Sequence, residues 1–101
     1  MRLIALFNLK PGVSVEQYEN WAKTADLPLV NSLPSVDDFQ VFRATGRLGS
    51  DAPVPYQYIE IIDVVDMDQF GTDVASEAMQ KVAAAFQELA DVIFLTTEPI
   101  A

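Results

Sequence analysis

RLIALFNL, residues 2–9, is apolar on both of its alternating faces and stops at the turn Pro11-Gly12. A strand that is wet on one side alternates apolar with polar residues, whereas one buried on both sides reads as this one does. The doubled pattern returns in Ile59, Ile61 and Ile62 within YQYIEIIDVV (56–65), and again at 92–95 within DVIFLTTE (91–98). A sheet built from these strands has to be covered twice.

Between the strands the period changes to that of helices. Ser14-Val15-Glu16-Gln17 has the form of a capping box, whose hydroxyl and amide side chain can satisfy two orphan amides. Val15, Tyr18, Ala22 and Ala25 follow at helical spacing with Glu16, Glu19 and Lys23 on the wet side, which predicts a helix over 15–25. Pro28 suits the first turn of a second short helical segment over 28–33, closed by Pro34. DFQVFRATGRL (38–48) reads as a second strand, and GSDAPVP (49–55), with its glycine and two prolines, as a loop. The longer stretch 46–55, with its glycines and prolines, would also suit a lid over a cleft. A further helix starts near Asp66, breaks at Ser76 and resumes through EAMQKVAAAFQELA, where Met79, Val82, Ala83, Phe86, Leu89 and Ala90 mark one face. The order is βαββαβ, an α+β, ferredoxin-like arrangement with an antiparallel sheet and both helices on one face. With no third layer left in one 101-residue domain, the second sheet face calls for another copy of the chain, a two-fold homodimer.

Composition excludes several classes of function. Six basic against fifteen acidic side chains give a formal charge of −9, which repels nucleic acid and anionic membrane surfaces alike. No apolar run approaches the length of a membrane span, and the strand at residue 2 leaves no room for a signal sequence, so a cytoplasmic protein is expected. The chain has no cysteine and no histidine. Thiolate chemistry is thereby removed, and proton transfer near neutral pH falls to a carboxylate, lysine or tyrosine of shifted pKa. No dinucleotide fingerprint or metal-ligand set is present, so no cofactor is expected. Asp66-x-Asp68-x-x-Gly71 with Glu77 at the twelfth place imitates a calcium loop, but Phe70 stands at the fifth place and Asp73 at the eighth. Asp66 and Asp68 are read instead as capping and charging a helix start.

Four segments together resemble a known group: LFNLKPG, YENWAKTADLPLV, LPSVDDFQVFR and DMDQFG. They are similar to the dimeric α/β-barrel superfamily, and more narrowly to the REDY-like (HapK) proteins associated with prodigiosin-type pigment clusters, with EthD-type proteins as more distant kin. The superfamily includes monooxygenases, isomerases and cyclases. EthD-like and related lactone-isomerase proteins look like W-x(4)-H-x-P in the second segment, with the histidine facing the cleft. Here the matching residues are Trp21, Asp26 and Pro28, so a carboxylate stands where those proteins have an imidazole.

Asp26 admits two readings that do not exclude each other. It can cap the helical turn that begins at Leu27-Pro28, or it can be a pocket acid with its pKa raised by burial. Arg43 is a lone cation on an apolar strand, either paired structurally with Glu60 or acting as an oxyanion clamp. Tyr56, Tyr58 and Glu60 share a face by the period of two, with Tyr18 and Trp21 on the helix opposite; such aromatics form a core, a dimer interface or the walls of a pocket. Asn8 either tethers a turn or faces the cleft. The functional expectation is a cofactor-free, enzyme-like protein acting on a small aromatic or conjugated metabolite by proton shift, condensation or cyclisation. Asp26 would shuttle the proton and Arg43 would stabilise negative charge. The alternatives are an accessory protein that sequesters a pathway intermediate, and an interaction scaffold.

Overall fold

The computed structural model describes residues 1–101, and in it Arg2–Leu9 (β1) is a central strand, as its doubled apolar pattern requires. The chain continues through a helical rod, Val36–Arg43 (β2), Tyr58–Val64 (β3), two helices and Ala90–Thr96 (β4). The sheet order is β2-β3-β1-β4, and every pairing is antiparallel. β2 ends earlier than the pattern predicts. After the Arg43–Tyr58 pair only the Ala44 amide reaches across, to the Gln57 carbonyl, and the chain turns away through Gly49 at φ +73°. A register shift between Val36 and Asp38 lets the strand start before Asp38.

The rod differs from expectation in being unbroken. Val15–Trp21 (α1) passes into a π-helical turn over Ala22–Asp26 and then into Leu27–Asn31 (α2). Pro28 has no N–H to give, and its ring crowds the carbonyl one turn back, which in a uniform α-helix forces a kink. Widening the preceding turn, with the Leu27 amide reaching the Ala22 carbonyl, takes up that strain without ending the helix. It also sets direction. The buried residues Tyr18, Ala22, Asp26 and Val30 are spaced by fours, which in a uniform α-helix would spiral by about 120° over the twelve residues. One residue absorbed in the π turn removes about 100° of that, so all four face the sheet.

The other ends follow the sequence closely. Ser14 Oγ accepts from the Gln17 amide at 3.0 Å, forming the hydroxyl half of the capping box. Asp66 Oδ1 accepts from the amides of Asp68 and Gln69 at 3.0 and 3.1 Å, starting Met67–Val74 (α3). Ser76 Oγ accepts from the Met79 amide at 3.3 Å, starting Glu77–Leu89 (α4). Asn31, at the end of α2, clasps the outer edge of β2. Its Nδ2 donates to the Phe39 carbonyl at 3.1 Å and its Oδ1 accepts from the Phe39 amide at 3.0 Å.

On the helix side the sheet carries two apolar clusters. Leu3, Val30, Val36, Phe39, Ile62 and Val64 make one; Phe7, Tyr18, Ala22, Tyr58, Phe86 and Ala90 make the other. They meet at the cross-strand row Val41, Glu60, Ala5, Phe94, where the central side chain is the smallest available and a carboxyl stands beside it. The opposite face presents Ile4, Leu6, Ile59 and Ile61, half-buried, with Phe42, Ile93 and Leu95 exposed. No helix is long and apolar enough to cross a membrane.

Candidate functional site

A cavity of about 400 Å³ lies between the sheet and the helices. Thirteen of its sixteen lining residues are hydrophobic, and the polar remainder is Asp26, Glu60 and Thr96. The rod supplies Asp26 and Val30; α3 and α4 supply Met67, Phe70, Val74, Met79, Val82, Ala83 and Phe86; the sheet supplies Glu60 and its neighbours. α3 is held as a wall by Asp73, whose carboxylate accepts from the Ser35 amide at 3.1 Å and from Gln69 Nε2 at 2.7 Å. Those bonds keep the Asp73 pKa below the usual carboxylate range.

The two acids behave oppositely to Asp73. Asp26 is 5% exposed, and burial pushes its pKa up to about 6. Glu60, 3% exposed, is pushed up to about 8, first by burial and then by the charge of Asp26. Glu60 Oε1 has no hydrogen-bond partner, nor has the buried hydroxyl of Tyr18. The Tyr18 phenol is raised above its ordinary value by burial, then by the charges of Glu60 and Asp26. Both acids thus hold their protons more tightly than free carboxyls do, Glu60 more tightly than Asp26, the separation of roles that general acid–base chemistry uses.

The capping reading of Asp26 is corrected by its geometry. Its backbone is helical, φ −69° and ψ −58°, and its side chain makes no capping bond. Because the rod continues through Pro28, there is no new helix start to cap.

Arg43 is corrected as well. Across the strand it meets Tyr58, while Glu60 lies opposite Val41, so the expected Arg43–Glu60 pair is out of register. Its guanidinium instead makes a two-pronged pair with Glu19, Nε to Oε2 at 2.7 Å and Nη2 to Oε1 at 3.2 Å. Tyr58 donates to the same Glu19 Oε2 at 2.7 Å. Arg43, Tyr18 and Tyr58 line a separate, more open hollow of about 310 Å³, and Arg43 does not reach the acid pair's cavity.

The aromatics close the core at one end of the cavity. Phe7 stacks on Tyr58 with centroids 5.2 Å apart, Tyr18 sits 4.7 Å from Tyr58, and Trp21 stacks on Phe86 at 6.0 Å. Tyr18, Trp21 and Tyr58 thus pack against one another and lie outside the cavity lining. Tyr56 precedes β3 and takes no part in the lining. Asn8 tethers the chain before β3, its Nδ2 donating to the Pro55 carbonyl at 3.2 Å and its Oδ1 accepting from the Gln57 amide at 2.9 Å. The loop over residues 46–55 contributes nothing to the cavity.

Sequence reasoning missed the walls from α3 and α4. Met79 and Val82 read as a core face and lie half-buried, Met67 and Phe70 carry no sequence reading as walls, and only the small Ala5 opposite a buried Glu60 hints that the core is incomplete there.

A four-stranded antiparallel sheet with its helices on one face and a cleft between the layers places the chain among ferredoxin-like α+β proteins. It belongs to the HapK family, matching the model of REDY-like protein HapK over residues 1–100. Among solved structures it is similar to HapK from Hahella chejuensis, at 30% identity and a TM-score of 0.73, over 99% of this chain and 93% of that one. An EthD family protein from Bacillus halodurans superposes with a TM-score of 0.68 at 17% identity, over 96% of this chain and 97% of that one. A dimeric ferredoxin-like protein of unknown function from Thermobifida fusca superposes with a TM-score of 0.71 at 19% identity, over 95% and 89%. No curated protein matches the sequence significantly.

Proposed function

We propose that the chain binds a small, largely apolar metabolite in the cavity and moves a proton on it, with Asp26 as the base and Glu60 as the acid. The observation that carries this reading is the pair of buried carboxyl groups, held at different pKa values, on a cavity otherwise lined by hydrocarbon. Proton shift, condensation and cyclisation all suit such a pair, since each needs a proton taken at one atom and given at another. Family membership is the ground for placing the metabolite in secondary metabolism of the prodigiosin type.

The test begins with thermal shift against pyrroles, phenols, lactones and polyketide-like acids. A ligand at a hundred times its Kd should stabilise the fold by about 2.7 kcal/mol, a shift of several degrees. For a ligand so found, exchange of its acidic C–H with solvent deuterium is followed with the native chain and with Asp26→Asn. The substitution should leave binding in place and slow exchange by about a hundredfold or more. Equal exchange in both would leave a binding protein without proton chemistry, and a panel without a hit would remove the ligand site as well.

The functional unit is a homodimer packed through the open sheet faces. The row Ile4, Leu6, Ile59, Ile61 with exposed Phe42, Ile93 and Leu95 supports this, since so continuous an apolar surface is rarely left to water. The dimeric ferredoxin-like neighbour lends the precedent. Sedimentation at micromolar concentration should give twice the chain mass, and Ile61→Glu, at the middle of β3, should give a folded monomer. A monomeric native chain under the same conditions would rule the dimer out.

A further inference from the structure

The cavity offers ligands acids and almost nothing else. None of its lining residues is lysine, arginine, asparagine, glutamine or tryptophan, and Thr96 is the single neutral polar group. The chain's six cations are engaged or placed elsewhere. Arg2 pairs with Asp63, Arg43 with Glu19 and Lys81 with Glu77. Lys10 and Arg47 donate to backbone carbonyls, and Lys23 lines the separate hollow. Glu60, 3% exposed, is meanwhile one of the lining residues, and its Oε1 has no hydrogen-bond partner.

This set of groups discriminates among ligands. A carboxylate or phosphate would sit beside two acids with no counter-charge, at a cost that burial makes large. A plain hydrocarbon would fill the space but leave Oε1 bare, which wastes a hydrogen bond in a dry site. A nitrogen bearing N–H groups on a flat apolar body would satisfy both the oxygens and the walls. We infer, building on the reading of this cavity as a ligand site, that its ligand carries a cationic, N–H-donating nitrogen, clamped between Glu60 and Asp26. The site then stabilises positive charge on the ligand, the reverse of the oxyanion role expected for Arg43.

Ligand binding is in consequence coupled to a proton. The titratable groups facing Glu60 are Asp26 and Tyr18 from the rod and Tyr58 along its own strand. β1 and β2 place Ala5 and Val41 beside it, and α3 and α4 bring only apolar side chains to the cavity. A cation against Glu60 favours its ionised form: a ligand that arrives as a neutral base takes the proton from Glu60, which is its acid role, and one that arrives already charged drives that proton into solvent.

Three matched aromatic probes test this by titration calorimetry at neutral pH: naphthamidine, a flat cation with paired N–H donors; acetonaphthone, its neutral counterpart; and naphthoate, the anion. Naphthamidine should bind at least about tenfold tighter than acetonaphthone, naphthoate should not bind, and Glu60→Gln, which leaves Asp26 as the one acid, should reduce the preference severalfold. Titration of the native chain in two buffers of different ionisation enthalpy gives a measure independent of any variant. Naphthamidine should release close to one proton, and acetonaphthone none. Naphthoate binding as well as naphthamidine overturns the inference. So does equal affinity for naphthamidine and acetonaphthone, which would leave an apolar ligand site without a charge preference. A naphthamidine preference undiminished by Glu60→Gln and without proton release places the cation elsewhere on this acidic surface and also overturns it. Failure of all three probes to bind removes the ligand site and the inference together.

Discussion

The protein should melt at a higher temperature at about pH 5 than at about pH 8.5, against the usual preference of globular proteins for neutral conditions. The cause is the acid pair. Glu60 rises from an ordinary 4.5 to about 8 and Asp26 from 3.8 to about 6. A group whose folded pKa is raised binds its proton more tightly in the folded state. Its contribution is complete below the unfolded pKa and is lost as pH climbs through the folded one. At about 1.4 kcal/mol for each pKa unit, Glu60 alone is worth roughly 4 kcal/mol across the window, so Tm should fall by more than about ten degrees. Glu19, Asp63 and Asp73, held below their ordinary values by Arg43, Arg2 and Ser35 respectively, work in the other direction. Their share is lost only as pH falls into the acid range, outside this window. Glu60→Gln should flatten most of the slope in calorimetric scans taken at intervals across it. A flat profile in the native chain would mean that water reaches the pair and that the carboxyls ionise without penalty.

Phe7→Ala should cost about 3–5 kcal/mol in urea unfolding, the largest loss expected of any single truncation in the chain. Phe7 is fully buried, stacked on Tyr58 and met edge-on by Tyr18 at 5.4 Å and Phe86 at 4.9 Å. Its removal takes one partner from three other rings at once and opens a void in the core beside the existing cavity. For a domain whose whole stability is on the order of 5–15 kcal/mol, that is a large part of the margin. Leu48→Ala, at a fully exposed side chain, is the matched control and should leave stability within about 0.5 kcal/mol. A loss at Phe7 below about 2 kcal/mol would show that the ring cluster repacks freely.

What the sequence revealed and what it hid divide along one physical line. Period and capping are local, and they located β1, the doubled apolar faces, the Asp66 start of α3 and the Ser76 break. Registers and cavities are not local. Whether Arg43 meets Glu60 or Glu19 depends on which residues pair across β2 and β3 and on where the rod crosses them, and no window of sequence holds that. The same is true of the acid pair. Asp26 and Glu60 were both visible as candidates, one as a base and the other as a pocket wall or a partner for Arg43. Their relation to each other exists only when the rod lies on the sheet. The helix break expected at Pro28 failed for a different reason, because a proline signal was read as a stop where the backbone answers it with a wider turn.

That wider turn takes up one residue more than a uniform helix would need to cover the same arc, as a note in the margin leaves the rest of a page in place. Removing one residue from Ala22–Asp26 and closing the rod to a uniform helix would leave Leu27–Asn31 in the phase they have now, with Val30 still against the core and Asn31 still on the edge of β2. A residue added elsewhere in the rod, with no such turn to absorb it, would rotate everything beyond it by about 100°. The rod thus carries its spare residue in the one turn that ends at the buried acid, where it costs the rest of the helix nothing in direction.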